Sequence, residues 1–358
     1  MQRTPIKGRG SISNRTSRFE QYERTAVVDD WAQIQAQQIE PQLPRTTVRP
    51  ETARTVITRN SSPDISFDRS INPYRGCEHG CIYCYARPSH AYLNHSPGLD
   101  FETILYSKVN AAGVLRAELS KPLYVPRVIA LGTNTDPYQP IERRLRITAA
   151  LLEVFAEFNH PVVITTKSAS VTQDIPVLQR LAEKNLVKVM MSVGFLDADI
   201  ARKLEPRASS PRARIEALRK LGAAGVPTGV IVAPIIPALT DHEIEKVLFS
   251  AKDAGAGEAS YVLIRLPREV AGLFQEWLRG HHPLKATHVM NLITQMRGGK
   301  AYDSNYGTRM RGTGVHAQLI EQRFKKACAK AGLNQTRHTL NTALFLRPSP
   351  GTTQLSLF

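Results

Sequence analysis

From Ser66 onward, short apolar runs alternate with segments whose apolar residues recur at helical spacing. Arg127 to Leu131 (RVIAL), Pro161 to Thr166 (PVVITT), Val187 to Val193 (VKVMMSV), Thr228 to Ala233 (TGVIVA) and Ala259 to Ile264 (ASYVLI) predict strands, being short and rich in β-branched residues. Helical periodicity predicts helices near 144–158, 174–185, 211–224 and 242–254. The third is punctuated at both ends: Ser210 can cap it, Pro211 suits its first turn, and Gly222 and Gly225 mark its close. Strand–helix alternation repeated in this way implies a parallel sheet with helices outside it. No glycine-rich fingerprint follows the first strand, so a full or partial β/α barrel fits better than a dinucleotide-binding sheet.

The flanks have a different texture. Residues 1–62 are rich in Arg, Gln, Thr and Pro and predict a basic, flexible arm, with one short helix near Trp31 to Ile39. Residues 63–265 carry the alternating pattern. Residues 266–345 predict a helical extension, with helices near 268–279, 285–297 and 314–331 around the basic stretch RGGKAYDSNYGTRMRGTG. Residues 346–358 read as a flexible tail.

Composition excludes two classes. Of 358 residues, 42% are hydrophobic and 22% charged, which argues against wholesale disorder. The most apolar stretch, Val226 to Leu239, is too short to cross a bilayer and contains three prolines. The opening MQRTPIKGRGS has no apolar core of a signal peptide, so a cytoplasmic protein with no membrane association is expected. The net charge of +16 is unevenly placed: residues 60–265 contribute only +3, whereas residues 266–358 contribute +9. Such asymmetry fits a polyanionic partner, nucleic acid first and an anionic membrane surface second, and equally a solvated basic surface.

In a β/α barrel, chemistry gathers at the C-terminal ends of the strands. The segments that follow the predicted strands are GTNTDPYQPIE, Lys167-Ser168, Ser192 with Glu205-Pro206-Arg207, and PIIPALTD. Ahead of them lies Gly76-Cys77-Glu78-His79-Gly80-Cys81-Ile82-Tyr83-Cys84-Tyr85. Three thiolates on one short loop can hold three irons of a [4Fe–4S] cluster and leave the fourth open to substrate. A zinc site would need His79 or Cys328 as its fourth ligand, and three buried cysteines without a metal are a further alternative. His90, His95, His281 and His282 show no ligand-like spacing and read as surface or core residues.

These motifs, NPYRGCEHGCIYCYARPSH, GTNTDPYQPIE, TTKS, LEPRASSPRARIEALRKLGAAGV and VAPIIP, resemble the radical S-adenosylmethionine (SAM) superfamily, and more narrowly its spore photoproduct lyase-like branch. The arm KGRGSISNRTSRFE is similar to a bacterial subgroup of that branch whose reaction is unassigned. The resemblance implies a partial (β/α)6-type TIM barrel, a [4Fe–4S] cluster on Cys77, Cys81 and Cys84, and SAM chelating the open iron. It implies reductive cleavage of SAM, hydrogen abstraction by the resulting radical, and an electron donor of the reductase, flavodoxin or ferredoxin type. By motif position, Tyr83 would place its backbone near the adenine, and Gly132, Thr133 and Asn134 would meet the SAM amino group. Lys167 and Ser192 would meet the ribose and carboxylate, and Arg207 the carboxylate. The alternative for Lys167 and Arg207 is an ion pair with Asp136, Glu142 or Glu205. Tyr85 matches a radical-relay tyrosine, against the alternative of packing on the loop. Thr133 stands where the lyase has a hydrogen-donating cysteine, and an alcohol O–H is a poor hydrogen-atom donor. The chain therefore departs from the lyase at the step that completes its repair.

Gln354-Leu355-Ser356-Leu357-Phe358 resembles the bacterial sliding-clamp motif, with Gln354, Leu355, Leu357 and Phe358 as anchors. The preceding RPSPGTT is a suitable tether, against the alternative of a tail folded back on its own domain. The leading expectation is a radical SAM enzyme acting on DNA and delivered by the clamp. The alternatives are radical modification of RNA or protein, and a non-catalytic iron–sulfur module that binds nucleic acid.

Overall fold

The computed structural model describes residues 5–20 and 44–348. The possible helix at 31–39 and the anchors Gln354, Leu355, Leu357 and Phe358 lie outside these residues. The described strands are β1 (Thr47–Glu51), β2 (Thr58–Arg59), β3 (Arg69–Ile71), β4 (Tyr74–Arg75), β5 (Ile104–Lys108), β6 (Ile129–Leu131), β7 (Val162–Thr166), β8 (Val187–Ser192), β9 (Thr228–Ile235) and β10 (Glu258–Leu263). One sheet has the order β10-β9-β8-β7-β6-β3-β2 and a smaller one the order β1-β5-β4. In the large sheet, β3, β6, β7, β8, β9 and β10 pair in parallel and β2 joins antiparallel to β3. Helices Ile147–Glu157, Ile175–Glu183, Pro211–Ala223 and Ile244–Asp253 connect successive strands from β6 to β10. The alternation implies a parallel sheet in a full or partial barrel, and the six parallel strands are those of the partial barrel that the resemblance implies.

The departures from expectation have local causes. β3 opens the barrel, yet it has three residues, begins with an arginine and is wholly buried, so no period can be read from it. The helix predicted near 144–158 is two helices, Glu142–Leu145 and Ile147–Glu157, broken at Arg146 with φ 51°. The Glu142 carboxylate accepts from the backbone N–H of Thr148 at 2.9 Å, satisfying the start of the second helix. The Ser210 hydroxyl accepts from the N–H of Ala213 at 3.3 Å, as the capping signal predicts.

The C-terminal helices are Glu269–His281, Pro283–Gln295 and Gly314–Ala331. They complete the barrel's packing. Ala317, Ile320, Phe324, Ala327 and Cys328 of the last helix lie in the same apolar core as the barrel strands. Cys328 is a buried small hydrophobe there, in a different cluster from the three loop cysteines. Leu273, Phe274, Trp277 and Leu278 of the first helix pack with Cys81, Ile82 and Tyr83, behind the cysteine loop.

The N-terminal segment also differs from the expected loose arm. Ile12 is buried, and the N–H groups of Gly10 and Ser11 donate to the Glu102 carboxylate at 3.0 and 2.8 Å. Arg15 and Arg18 pair with Glu276 and Glu269 at 2.8 and 3.0 Å, joining this strap to the C-terminal helices. Basic composition suggested a solvated arm, but these charges are matched by carboxylates distant in sequence. Among the described residues, no helix is long and apolar enough to cross a membrane.

If the last helix shares the barrel's core, truncating Phe324, whose ring lies 4.6 Å from that of Tyr261 on β10, destabilises the whole barrel. Phe324→Ala is expected to cost about 3–5 kcal/mol and to lower one cooperative denaturation midpoint. A second, separate unfolding transition for the extension is the result that contradicts shared packing.

Candidate active site

The cysteine loop follows β3, at the C-terminal end of the barrel. Gly76 and Gly80 have φ of 73° and 66°, which lets the chain fold back twice within five residues. The loop is held mainly by one buried ion pair. Arg87 and Glu102 have 0% side-chain exposure and meet at 2.5 Å. The Arg87 guanidinium also donates to the carbonyls of Gly80, Cys81, Pro97 and Gly98 at 2.8–3.1 Å. Each of its five N–H groups has an acceptor, as an arginine removed from water requires. Glu102 is matched by Arg87 on one side and by the strap N–H groups of Gly10 and Ser11 on the other. The strap passes so close that a Cβ on Gly10 would lie 1.8 Å from the Gly80 carbonyl oxygen.

Cys77, Cys81 and Cys84 are free thiols. Cys84 packs against the apolar groups that contain Cys77 and Cys81. Burial pushes all three thiols up, and for Cys77 the negative charges of Asp136 and the other two cysteines add to this. A bound cation reverses that balance and makes thiolates of them. Among the described residues, no three His, Cys, Asp or Glu side chains converge closely enough for a single metal ion. Thiolates at three corners of a cubane are held farther apart than ligands of one ion, so the soft, buried and uncommitted donor set fits an iron–sulfur cluster. His79 is engaged elsewhere, its Nδ1 lying 3.4 Å from Asp136. Asp136 also accepts from Thr166 and from the N–H of Lys167, each at 2.7 Å.

Beside the cysteines lies a second buried charge network. Glu205, with its side chain fully buried, accepts from the Tyr83 hydroxyl and from Arg214. The Lys167 ammonium stands 3.9 Å from Glu205 and donates to the Ser192 hydroxyl at 2.6 Å. Burial opposes ionisation of Glu205, but Arg214 and then Lys167 outweigh it and hold the carboxyl below its usual value. Tyr83, Lys167 and Ser192 thus come together around Glu205, and Lys167 has the carboxylate neighbour that the alternative reading named. Arg207 pairs with Glu78 at 3.0 Å, a partner not among those foreseen.

On the other side, Gly132 has φ 87°, and a Cβ there would meet the Thr165 carbonyl at 2.4 Å, so this turn requires glycine. The Asn72 side chain accepts from the N–H groups of Asn134 and Thr135 at 2.8 and 3.3 Å and fixes the turn. The Tyr85 hydroxyl donates to the Thr133 carbonyl. Tyr85, Thr133 and Asn134 line a cavity of about 560 Å³ that opens beside the cysteine loop. Sequence reading missed Arg87, Glu102, Arg214 and Arg265, the last of which stacks on the Tyr85 ring at 5.1 Å. Nothing in a sequence distinguishes a buried arginine from a solvated one.

The sequence model described as "Radical SAM superfamily" matches residues 71–251. An uncharacterized protein of Mycobacterium tuberculosis is 37% identical over 221 residues, which is 61% of this chain and 65% of that protein. The match thus falls short of two thirds of the relative's length. A protein of Pseudomonas phage M6 described as a radical SAM Nalpha-GlyT isomerase is 27% identical over 181 residues, 49% of this chain and 35% of that one. Among solved structures, spore photoproduct lyase complexed with dinucleoside spore photoproduct is similar in fold, with a TM-score of 0.57, 16% identity and 80% of each chain covered.

Arg87→Ala strands the buried Glu102 charge and four carbonyls, and is expected to cost on the order of 3–5 kcal/mol in denaturant titration. Arg87→Lys keeps the charge but supplies too few donors, so it recovers only part of the loss. A wild-type midpoint for Arg87→Ala would show that the pair does not hold the loop.

Proposed function

The chain belongs to the radical SAM superfamily, and on that premise we propose that it uses radical chemistry on a nucleic-acid substrate, in the manner of a DNA-repair enzyme. It is a radical SAM enzyme of the spore photoproduct lyase-like fold, with a [4Fe–4S] cluster and SAM as cofactors. When bound, these cofactors supply hydrogen abstraction at an unactivated C–H bond.

Cys77, Cys81 and Cys84 would hold the cluster, since Cys77 and Cys81 are buried, Cys84 is partly buried, and all three thiols are otherwise uncommitted. Glu205 orients Lys167 and Tyr83, and Lys167 in turn holds Ser192. Lys167 and Ser192 would supply ammonium and hydroxyl donors to the ribose and carboxylate of bound SAM. The fixed turn Gly132-Thr133-Asn134 offers polar groups to the SAM amino group, and Arg207 offers a guanidinium to the carboxylate. Tyr85 is the relay candidate because its hydroxyl sits on the wall of the adjoining cavity. Thr133, also on that wall, carries a strong O–H bond where the lyase-like reaction needs a weak S–H bond. The fate of the substrate radical therefore differs from that in the lyase.

The observation that carries the nucleic-acid reading is the composition of this cavity: Arg75, Lys108, Arg265 and Arg309 line it, and among the described residues no carboxylate does. The net charge of +9 over residues 266–358 supports the same class of substrate, as does the dinucleoside bound by the structural neighbour. Recruitment by the sliding clamp through Gln354, Leu355, Leu357 and Phe358 would bring the enzyme to replicating or repaired DNA in the cytoplasm. A flavodoxin- or ferredoxin-type protein would reduce the cluster.

Three experiments test this reading. Anaerobically reconstituted protein is expected to release methionine and 5′-deoxyadenosine from SAM under reducing conditions, with turnover altered by DNA. Cys81→Ala should lose the visible thiolate-to-iron absorbance and SAM cleavage, while Cys328→Ala keeps both; bleaching by Cys328→Ala would overturn the three-cysteine site. Removing residues 354–358 should abolish capture by immobilised clamp, and failure of the full chain to bind clamp would remove that part of the proposal.

A further inference from the structure

Arg75, Lys108, Arg265 and Arg309 all reach the cavity beside Tyr85, but they are not equivalent. Arg75 pairs with Glu51 at 2.7 Å. Arg309 pairs with Asp64 and also donates to the Ser62 hydroxyl at 2.5 Å. Lys108 and Arg265 have no carboxylate within ion-pair distance among the described residues. Lys108 is half-buried at the end of β5, where Glu51 and Glu118 act on it only from a distance and Arg75 repels it. Burial and Arg75 together hold its ammonium below the usual lysine value.

Arg265, just after β10, is satisfied only by weak acceptors. It donates to the Tyr302 hydroxyl at 3.2 Å and to the Met310 thioether at 3.4 Å. Its Nε is buried with no hydrogen-bond partner among the described residues. The guanidinium lies 5.1 Å from the Tyr85 ring centre and 5.9 Å from that of Tyr302. Asp64, committed to Arg309, acts on Arg265 only from a distance. Leaving two cations partly desolvated and without a direct counter-ion is costly unless an anion completes the site. The remaining lining is chiefly amide and hydroxyl (Asn60, Asn72 and Asn134, with Thr58 and Ser70), which suits the neutral polar edges of a base or sugar. The rings of Tyr85 and Phe67 offer flat surfaces in the same cavity.

We propose that Lys108 and Arg265 form an anion subsite that binds a phosphate ester of the substrate and so presents an adjoining nucleoside to Tyr85. This rests on the nucleic-acid reading above and adds to it the two residues that neutralise the backbone. Arg265 has a double position, touching both the subsite and the Tyr85 ring. Binding of the phosphate is thereby coupled to the placement of that ring.

Fluorescence anisotropy tests the subsite without turnover, using full-length, cluster-loaded protein, a labelled single-stranded thymidine decamer and a series of salt concentrations. Lys108→Gln and Arg265→Gln are each expected to weaken binding about tenfold, and to make the log–log salt dependence shallower by about 0.7, one phosphate contact on a single strand. Lys108→Arg should restore the slope, which separates loss of the contact from damage to the fold. Lys220→Gln, on the exposed face of helix Pro211–Ala223, should match wild type. Competition by thymidine 5′-monophosphate identifies a subsite open to free phosphate esters; binding of the decamer without such competition assigns it to the polynucleotide backbone. If wild type binds the decamer and both glutamine variants keep its affinity and slope, the subsite is refuted while the nucleic-acid reading stands. If wild type binds neither probe at any salt concentration, both fail.

Discussion

Arg87 and Glu102 are charged side chains with no solvent exposure, and the cysteine loop is built around their contact. Taking either charge out of water alone would cost several kcal/mol, so the pair is tolerable only when every remaining donor and acceptor is matched. The matches are what shape the loop. Arg87 gathers the carbonyls of Gly80 and Cys81 from above and those of Pro97 and Gly98 from the side. Glu102 gathers the N-terminal strap. A loop that must carry three thiols at fixed spacing cannot rely on its own short sequence for rigidity, and this pair supplies it from behind.

The same logic recurs around Glu205, another buried carboxylate. Arg214 neutralises it, which leaves Lys167 and Tyr83 oriented by it without being consumed by it. Lys167 then reaches Ser192 across the ends of β7 and β8. Two buried carboxylates thus organise two halves of one site: Glu102 holds the cysteine loop, and Glu205 holds the donors beside it. The cavity next to them follows the opposite rule. Among the described residues no carboxylate lines it, and while Arg75 and Arg309 are paired with Glu51 and Asp64, Lys108 and Arg265 are left available to a ligand.

The C-terminal region belongs to this arrangement physically. Helix Glu269–His281 backs the cysteine loop through Phe274 and Trp277 and anchors the strap through Glu269 and Glu276. Arg297 is buried and ties the carbonyls of Thr308 and Arg309 to those of Leu263 and Ile264, which sets the 298–312 segment over the end of β10. Burial pulls its guanidinium down to about 10. The excess positive charge of the last quarter is therefore partly structural, and only some of it is free to meet a polyanion.

The order of strands and helices from β6 to β10, the capping of helix Pro211–Ala223 and the grouping of Cys77, Cys81 and Cys84 could be read from the chain, because periodicity, caps and short-range spacing are local properties. The polar segments at the strand ends were also legible, since a parallel barrel forces them to one end. β3 was not, because three buried residues beginning with Arg69 show no period. Nor could the sequence reveal that Arg87, Arg214 and Arg297 are interior while Lys108 and Arg265 have no carboxylate within ion-pair distance among the described residues. The choice between a neutralised and an available cation is made by carboxylates up to hundreds of residues away, as Arg309 finds Asp64 and Arg15 finds Glu276. Residue type and spacing decide what chemistry a chain can carry, but desolvation and pairing of charge arise only when distant segments are packed together.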